Sequence, residues 1–187
     1  KRLLEYDDVM NAQRKVIYLK RKNALFGDRL SVDIDNMIYD TASAICLEYQ
    51  PNSDFEGFKL ELVRFLGINS PVDEDDFKQL SEEDLTEKVY QKSIENYKTK
   101  SEIISQRTFP VIKDVFENES NNYQNIVIPF TDGLKTLQVV TNLKEAFDSE
   151  GKTIPLSVEK GVTLSIIDDS WKENLRELDD LKQSVQN

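Results

Sequence analysis

Asp7, Asn11 and Arg14 stand at i, i+4 and i+7 near the start of the chain. A helix would set this carboxylate, amide and guanidinium along one stripe. Such a set can bind a second surface through charge-assisted hydrogen bonds. As a purely solvated network it would contribute about 0.2–0.5 kcal/mol per pair. The stripe lies beside the helix's apolar face rather than opposite it, which keeps both roles open. A second set, Trp171, Asn174 and Leu178, follows steps of three and four near the other end. It places an amide inside an otherwise apolar seam.

Little else in the chain could carry chemistry. It contains 0 histidines, so the commonest general base and metal ligand are absent. A serine or cysteine nucleophile would lack its usual partner. The 6 glycines are scattered and form no phosphate loop. The run Asp73-Glu74-Asp75-Asp76 lacks the alternation and the glycine of a calcium loop, and reads as a solvated helix start. Asp168-Asp169 and Asp179-Asp180 are separated by about three helical turns, too far for a shared metal or a carboxylate pair. The sequence therefore nominates no catalytic, cofactor-binding or metal residue. Its site candidates are contact residues: Asp7, Asn11, Arg14, Trp171, Asn174 and Leu178.

The bulk properties agree with a contact role. Of 187 residues 39 % are hydrophobic, and the net charge is −11. That apolar content suits long helices with one buried stripe. An acidic chain repels phosphate backbones, which argues against nucleic acid as a partner. The single cysteine, Cys46, sits in an apolar stretch and reads as a small core residue. No apolar run approaches the roughly 20 residues that span a bilayer. The chain opens on Lys1 inside an amphipathic pattern, and so reads as a piece of a longer protein.

The elements that must position these residues follow from periodicity. Leu3, Tyr6, Met10 and Ile17 mark a long first helix, with Gly27-Asp28 as its stop. A second helix covers Val32 to Tyr49, with Ile34, Ile38, Ala42 and Ile45 inward. Ser53 and Glu56 stand as a capping box for a third helix, with Phe55, Phe58, Leu62 and Phe65 inward. Ser70-Pro71 opens a short acidic segment. Ser81 to Asp84 is a second capping box, opening a long helix that Pro110 should kink. After Asn118 the period changes to alternation. Asp132-Gly133 reads as a two-residue hairpin turn placing Ile128 opposite Leu137 and Ile126 opposite Val139. The last helix begins near Leu156 to Glu159, with its seam through Leu164, Ile167, Trp171, Asn174, Leu178, Leu181 and Val185.

The opening words, Leu3-Leu4-Glu5-Tyr6-Asp7-Asp8-Val9 through Asn11, Gln13-Arg14 and Ile17-Tyr18, resemble the scaffold helix of the SecA preprotein translocase family. Ile167, Asp168, Trp171, Lys172, Glu173, Leu175, Asp179 and Leu181 resemble the family's return helix, and Tyr97 to Glu102 its route back from the wing. Asn174 stands where the family carries histidine, and Leu178 where it carries methionine. The stretch from about Asn118 to Pro155 reads as a lineage-specific insertion.

The resemblance implies a mainly α fold, with elongated antiparallel long helices, a small helical wing and a minor β-hairpin insertion. It divides the chain into 1–26 (scaffold helix), 27–117 (wing and its return helix), 118–155 (insertion) and 156–187 (first arm of a two-helix finger). It implies a segment of an ATP-driven motor, cytoplasmic and peripheral to the inner membrane. The partners implied are the SecY channel, unfolded preprotein, other SecA domains and an anionic membrane surface. ATP and magnesium would belong to the full-length family, so this segment would be inactive alone. The rival expectation is a stand-alone acidic helical adaptor.

Overall fold

The computed structural model describes residues 2–26, 29–119, 123–131, 133–134 and 136–186, with side chains for 8–26, 29–118, 123–131, 133–134 and 136–184. It is mainly α with one β-hairpin, as the periodicity predicts. The chain divides into two compact units, residues 31–106 and residues 1–30 with 107–187.

The first unit contains α2 (Leu30–Tyr49, whose first residue falls just outside it), α3 (Phe55–Glu61), a π turn (Leu62–Leu66), α4 (Glu74–Gln79) and the first part of α5 (Glu82–Glu119). Its core joins Ala42, Ile45 and Cys46 of α2 to Phe58, Leu62, Phe77, Leu85 and Val89. The rings of Phe58 and Phe77 lie 4.7 Å apart, and that of Phe55 lies 5.3 Å from Phe77. Cys46 is fully buried, and that burial pushes its thiol pKa up, which suits an inert packing group.

The caps explain where these helices begin. Ser81 Oγ accepts from the Asp84 amide at 3.1 Å, as the second capping box predicts. The first box is corrected. Asp54, not Ser53, caps α3, accepting from the Gly57 amide at 2.9 Å. Ser53 closes the preceding turn at φ 51°, a left-handed geometry that a helix N-cap does not take. The short acidic helix α4 starts later than a cap at Ser70-Pro71 would place it: Asp73 is its cap, accepting from the Asp76 amide at 2.9 Å, while Ser70 Oγ bonds within its own turn to Val72.

Phe65 is also corrected. Continuing the helical period from Phe58 and Leu62 predicts it inward, yet it is 59 % exposed. The π turn adds one residue to the hydrogen-bonded ring and shifts the phase. Leu66 packs on the core instead, and Gly67 ends the turn at φ 63°.

Tyr90 Oη donates to Asp35 Oδ1 at 2.9 Å, tying α5 to α2. That bond to a carboxylate, with burial second, holds the phenol pKa above its ordinary value of 10.0. A raised folded-state value means the bond stabilises fully below the unfolded value and is lost as pH rises through the folded one. Tyr90→Phe should therefore lower the urea midpoint of this unit at neutral pH. The gap from the parent protein should close as pH climbs past 10.0; a gap unchanged by alkali would refute this role.

The second unit holds α1 (Arg2–Phe26), the end of α5, strands β1 (Asn125–Thr131) and β2 (Thr136–Asn142), α6 (Leu143–Asp148) and α7 (Thr153–Gln186). The predicted stop at Gly27-Asp28 lies outside the described residues, as does Asp132 of the predicted turn. α5 runs through Pro110, and Ile112 beyond it is fully buried. The Phe116 ring stacks on Phe147 of α6 at 4.1 Å.

The hairpin register differs from expectation by two residues. Phe130 pairs with Leu137, Ile128 with Val139 and Ile126 with Thr141. The loop is longer than a two-residue turn: Thr131 pairs with Thr136, which leaves 132–135 between the strands, and Thr131 Oγ1 accepts from the Gly133 amide at 3.0 Å. An even shift leaves every side chain on its predicted face. The inner face lies on α7, where a Cβ at Gly161 would come within 3.1 Å of Leu137. α7 starts at Thr153, earlier than expected, because Pro155 falls in the first turn, where a missing amide costs nothing.

Candidate functional site

α1 and α7 pack side by side within one unit. Their half-buried stripes are Met10, Gln13, Ile17 and Arg21 on α1, and Leu164, Ile167, Trp171, Asn174 and Leu178 on α7. Arg21 Nη1 lies 2.9 Å from Asp168 Oδ1, while Gln13 and Ile17 share a groove with Ser170, Trp171 and Asn174. Advancing along α1 thus retreats along α7, so the pair is antiparallel.

The groove holds about 490 Å3 and is open to solvent on one side. Ala12, Val16, Ile17 and Trp171 make it apolar. Its two amides are unusual. Gln13 Oε1 and Asn174 Oδ1 are both buried from solvent and accept no hydrogen bond from the described residues. An unmade hydrogen bond at a buried acceptor costs about 1–3 kcal/mol. Both oxygens are sealed within the α1–α7 packing, so what the groove offers to an occupant is its apolar lining. Asp168 has its charge balanced by Arg21, so it does not share their lack of a partner.

The candidates from sequence distribute unevenly. Trp171 and Asn174 line the groove. Leu178 is half-buried further along the same stripe. Asn11 and Arg14 are exposed on α1. The side chain of Asp7 lies outside the described residues. Periodicity passed over Ala12, Val16 and Ser170 in the groove, and the polar Gln13. The apolar marks Met10 and Ile17 are seven apart, and Gln13 occupies the step of three between them. A polar residue at that step, mirrored by Asn174 in the opposite seam, was the available signal.

Among the described residues no three His, Cys, Asp or Glu side chains converge to hold a metal ion, and the chain has no phosphate loop. No described helix is long and apolar enough to cross a membrane.

The comparisons with known proteins agree on one family. The model of the SecA wing and scaffold domain matches residues 1–187. The protein translocase subunit SecA of Christiangramia forsetii is 52 % identical over 186 residues, covering 100 % of this chain and 17 % of that protein. Its counterpart in Parabacteroides distasonis is 50 % identical over 187 residues, covering 100 % of this chain and 16 % of that protein. Both alignments run through the hairpin region. The chain therefore spans about a sixth of the length of the curated relatives it matches. No solved structure matches the chain significantly. Matched along its whole length, the chain belongs to the SecA wing and scaffold domain family.

Proposed function

We propose that this chain is the scaffold and wing segment of an ATP-driven motor that moves unfolded preproteins through the SecY channel. On this reading the α1–α7 pair is a strut, and its groove receives another part of the full-length protein. Nucleotide-dependent domain motion then passes along the strut to the two-helix finger as a rigid-body shift. The observation that supports this is the match of the whole chain to the SecA wing and scaffold domain, together with the apolar, solvent-open groove along the α1–α7 pair. A groove of that chemistry suits a packed neighbour better than bulk water. The relatives' name, protein translocase subunit SecA, supports the transport role, and their length supports a larger assembly around this segment.

ATP and magnesium are bound elsewhere in the full-length protein on this reading. The site of work is the cytoplasmic side of the inner membrane, with peripheral attachment at an anionic lipid surface. Asp7, Asn11 and Arg14 contact the motor domains, and Trp171, Asn174 and Leu178 form the joint with the finger.

Arg14 provides the test, because its side chain is exposed in this chain and its loss cannot collapse the fold. In the full-length protein, Arg14→Ala should lower the ratio of preprotein-stimulated to basal ATP turnover severalfold. An unchanged ratio would remove Arg14 from the contact and count against the strut.

A further inference from the structure

The chain is acidic overall, yet residues 14–26 carry Arg14, Lys15, Lys20, Arg21 and Lys22 and no acidic residue. Arg21 is used internally, against Asp168. Arg14, Lys15, Lys20 and Lys22 are exposed and make no ion pair among the described residues. The same stretch exposes large apolar side chains. Tyr18 is 59 % accessible, Leu19 58 %, Leu25 41 % and Phe26 79 %.

These residues are ordered on the helix. Lys15 and Lys22, Tyr18 and Leu25, and Leu19 and Phe26 are three pairs, each one heptad apart. The spacing i, i+3, i+4, i+7 puts them on one face. That face points away from α7, since the stripe turned toward α7 runs through Ile17, Arg21 and the buried Ala24. The arrangement is two lysines along the middle of an apolar seam.

We propose that this outer face of α1 docks an acidic amphipathic helix of a partner polypeptide, which packs in coiled-coil fashion and sets carboxylates against Lys15 and Lys22. The heptad spacing supplies the geometry for a helix. Lys15 and Lys22, which make no ion pair among the described residues, supply the charge complementarity. A lipid surface fits the face less well. A helix lying in a membrane keeps its cations on the polar side and its apolar side clean, whereas here the two ammonium groups would enter the middle of the buried strip. The inference concerns the face opposite the groove, and is independent of the motor reading.

The test uses the full-length protein and a labelled synthetic helix of three heptads, with leucine in its seam and glutamate opposite the lysines. A scrambled peptide of equal charge is the control. Fluorescence anisotropy should show micromolar binding of the heptad peptide, at least tenfold weaker for the scrambled one. Lys15→Glu with Lys22→Glu should weaken binding at least tenfold, with circular dichroism unchanged. Leu19→Ala with Phe26→Ala should do the same while leaving the charge intact. Equal affinity for the scrambled peptide, or no loss in either variant, overturns the proposal. So does a face that captures phosphatidylglycerol vesicles but not the peptide. Self-association abolished by Lys22→Glu, without peptide binding, would assign the face to a second copy and overturn it too.

Discussion

Phe77→Ala is expected to destabilise the unit of residues 31–106 by about 3–5 kcal/mol. Phe77 is fully buried and touches both other rings of the aromatic cluster. Its removal loses the transfer free energy of a whole ring and leaves a hollow between α3 and α4 that two flanking phenyl groups cannot fill. The backbone there is also fastened, because Gln50 Nε2 donates to the carbonyls of Phe77 and Leu80, each at 2.9 Å. That anchoring limits collapse into the hollow, which places the cost toward the upper end. A small domain has about 5–15 kcal/mol in total, so the loss would bring this unit close to unfolding. Two probes read the units separately. Backbone hydrogen exchange within residues 31–106 should accelerate by orders of magnitude. Fluorescence of Trp171, the single tryptophan, reports the other unit and should keep its urea midpoint. A cost below about 1 kcal/mol would contradict the packing described.

Asn174→Leu is expected to act with opposite sign in two settings. In the 187-residue chain the amide's Oδ1 is buried without a donor among the described residues. Replacing it with an apolar group of similar volume removes that penalty, and should stabilise the α1–α7 pair by about 1–2 kcal/mol. Urea unfolding followed at Trp171 reads this directly, since both residues line the same groove. In the full-length protein the same change alters the groove wall on which a neighbouring segment would pack. Preprotein-stimulated ATP turnover should fall about tenfold for about 1.4 kcal/mol of lost contact. Gln13→Leu should behave alike. If Asn174→Leu destabilised the isolated chain, Oδ1 would have to have a partner there, and the argument from an empty slot would fail.

The same groove shows how far periodicity reaches. The seam from Leu164 to Leu178 was legible because α7 packs along one side only, and a helix half in contact must repeat at three and four. Leu181 departs from it and is 54 % exposed, while Val185 lies outside the described residues. The matching role of Gln13 was not legible as such. A polar residue in a seam looks the same in sequence whether its amide is satisfied or stranded, and only the neighbouring helix decides.

Local chemistry wrote the helices, their order and the hairpin into the chain. Backbone period and proline position act over a few residues, and few competing contacts can override them. Three outcomes depended on contacts distant in sequence or on the turn just before an element. Asp54 replaced Ser53 as a cap because the preceding turn drove Ser53 to positive φ. Phe65 turned outward because a π turn let Leu66 reach the core. The strands moved by two residues because the connection runs over 132–135, with Thr131 paired to Thr136 and its Oγ1 accepting from the Gly133 amide. In each case the residue pattern alone was compatible with another arrangement, and the neighbouring turn or contact decided the outcome.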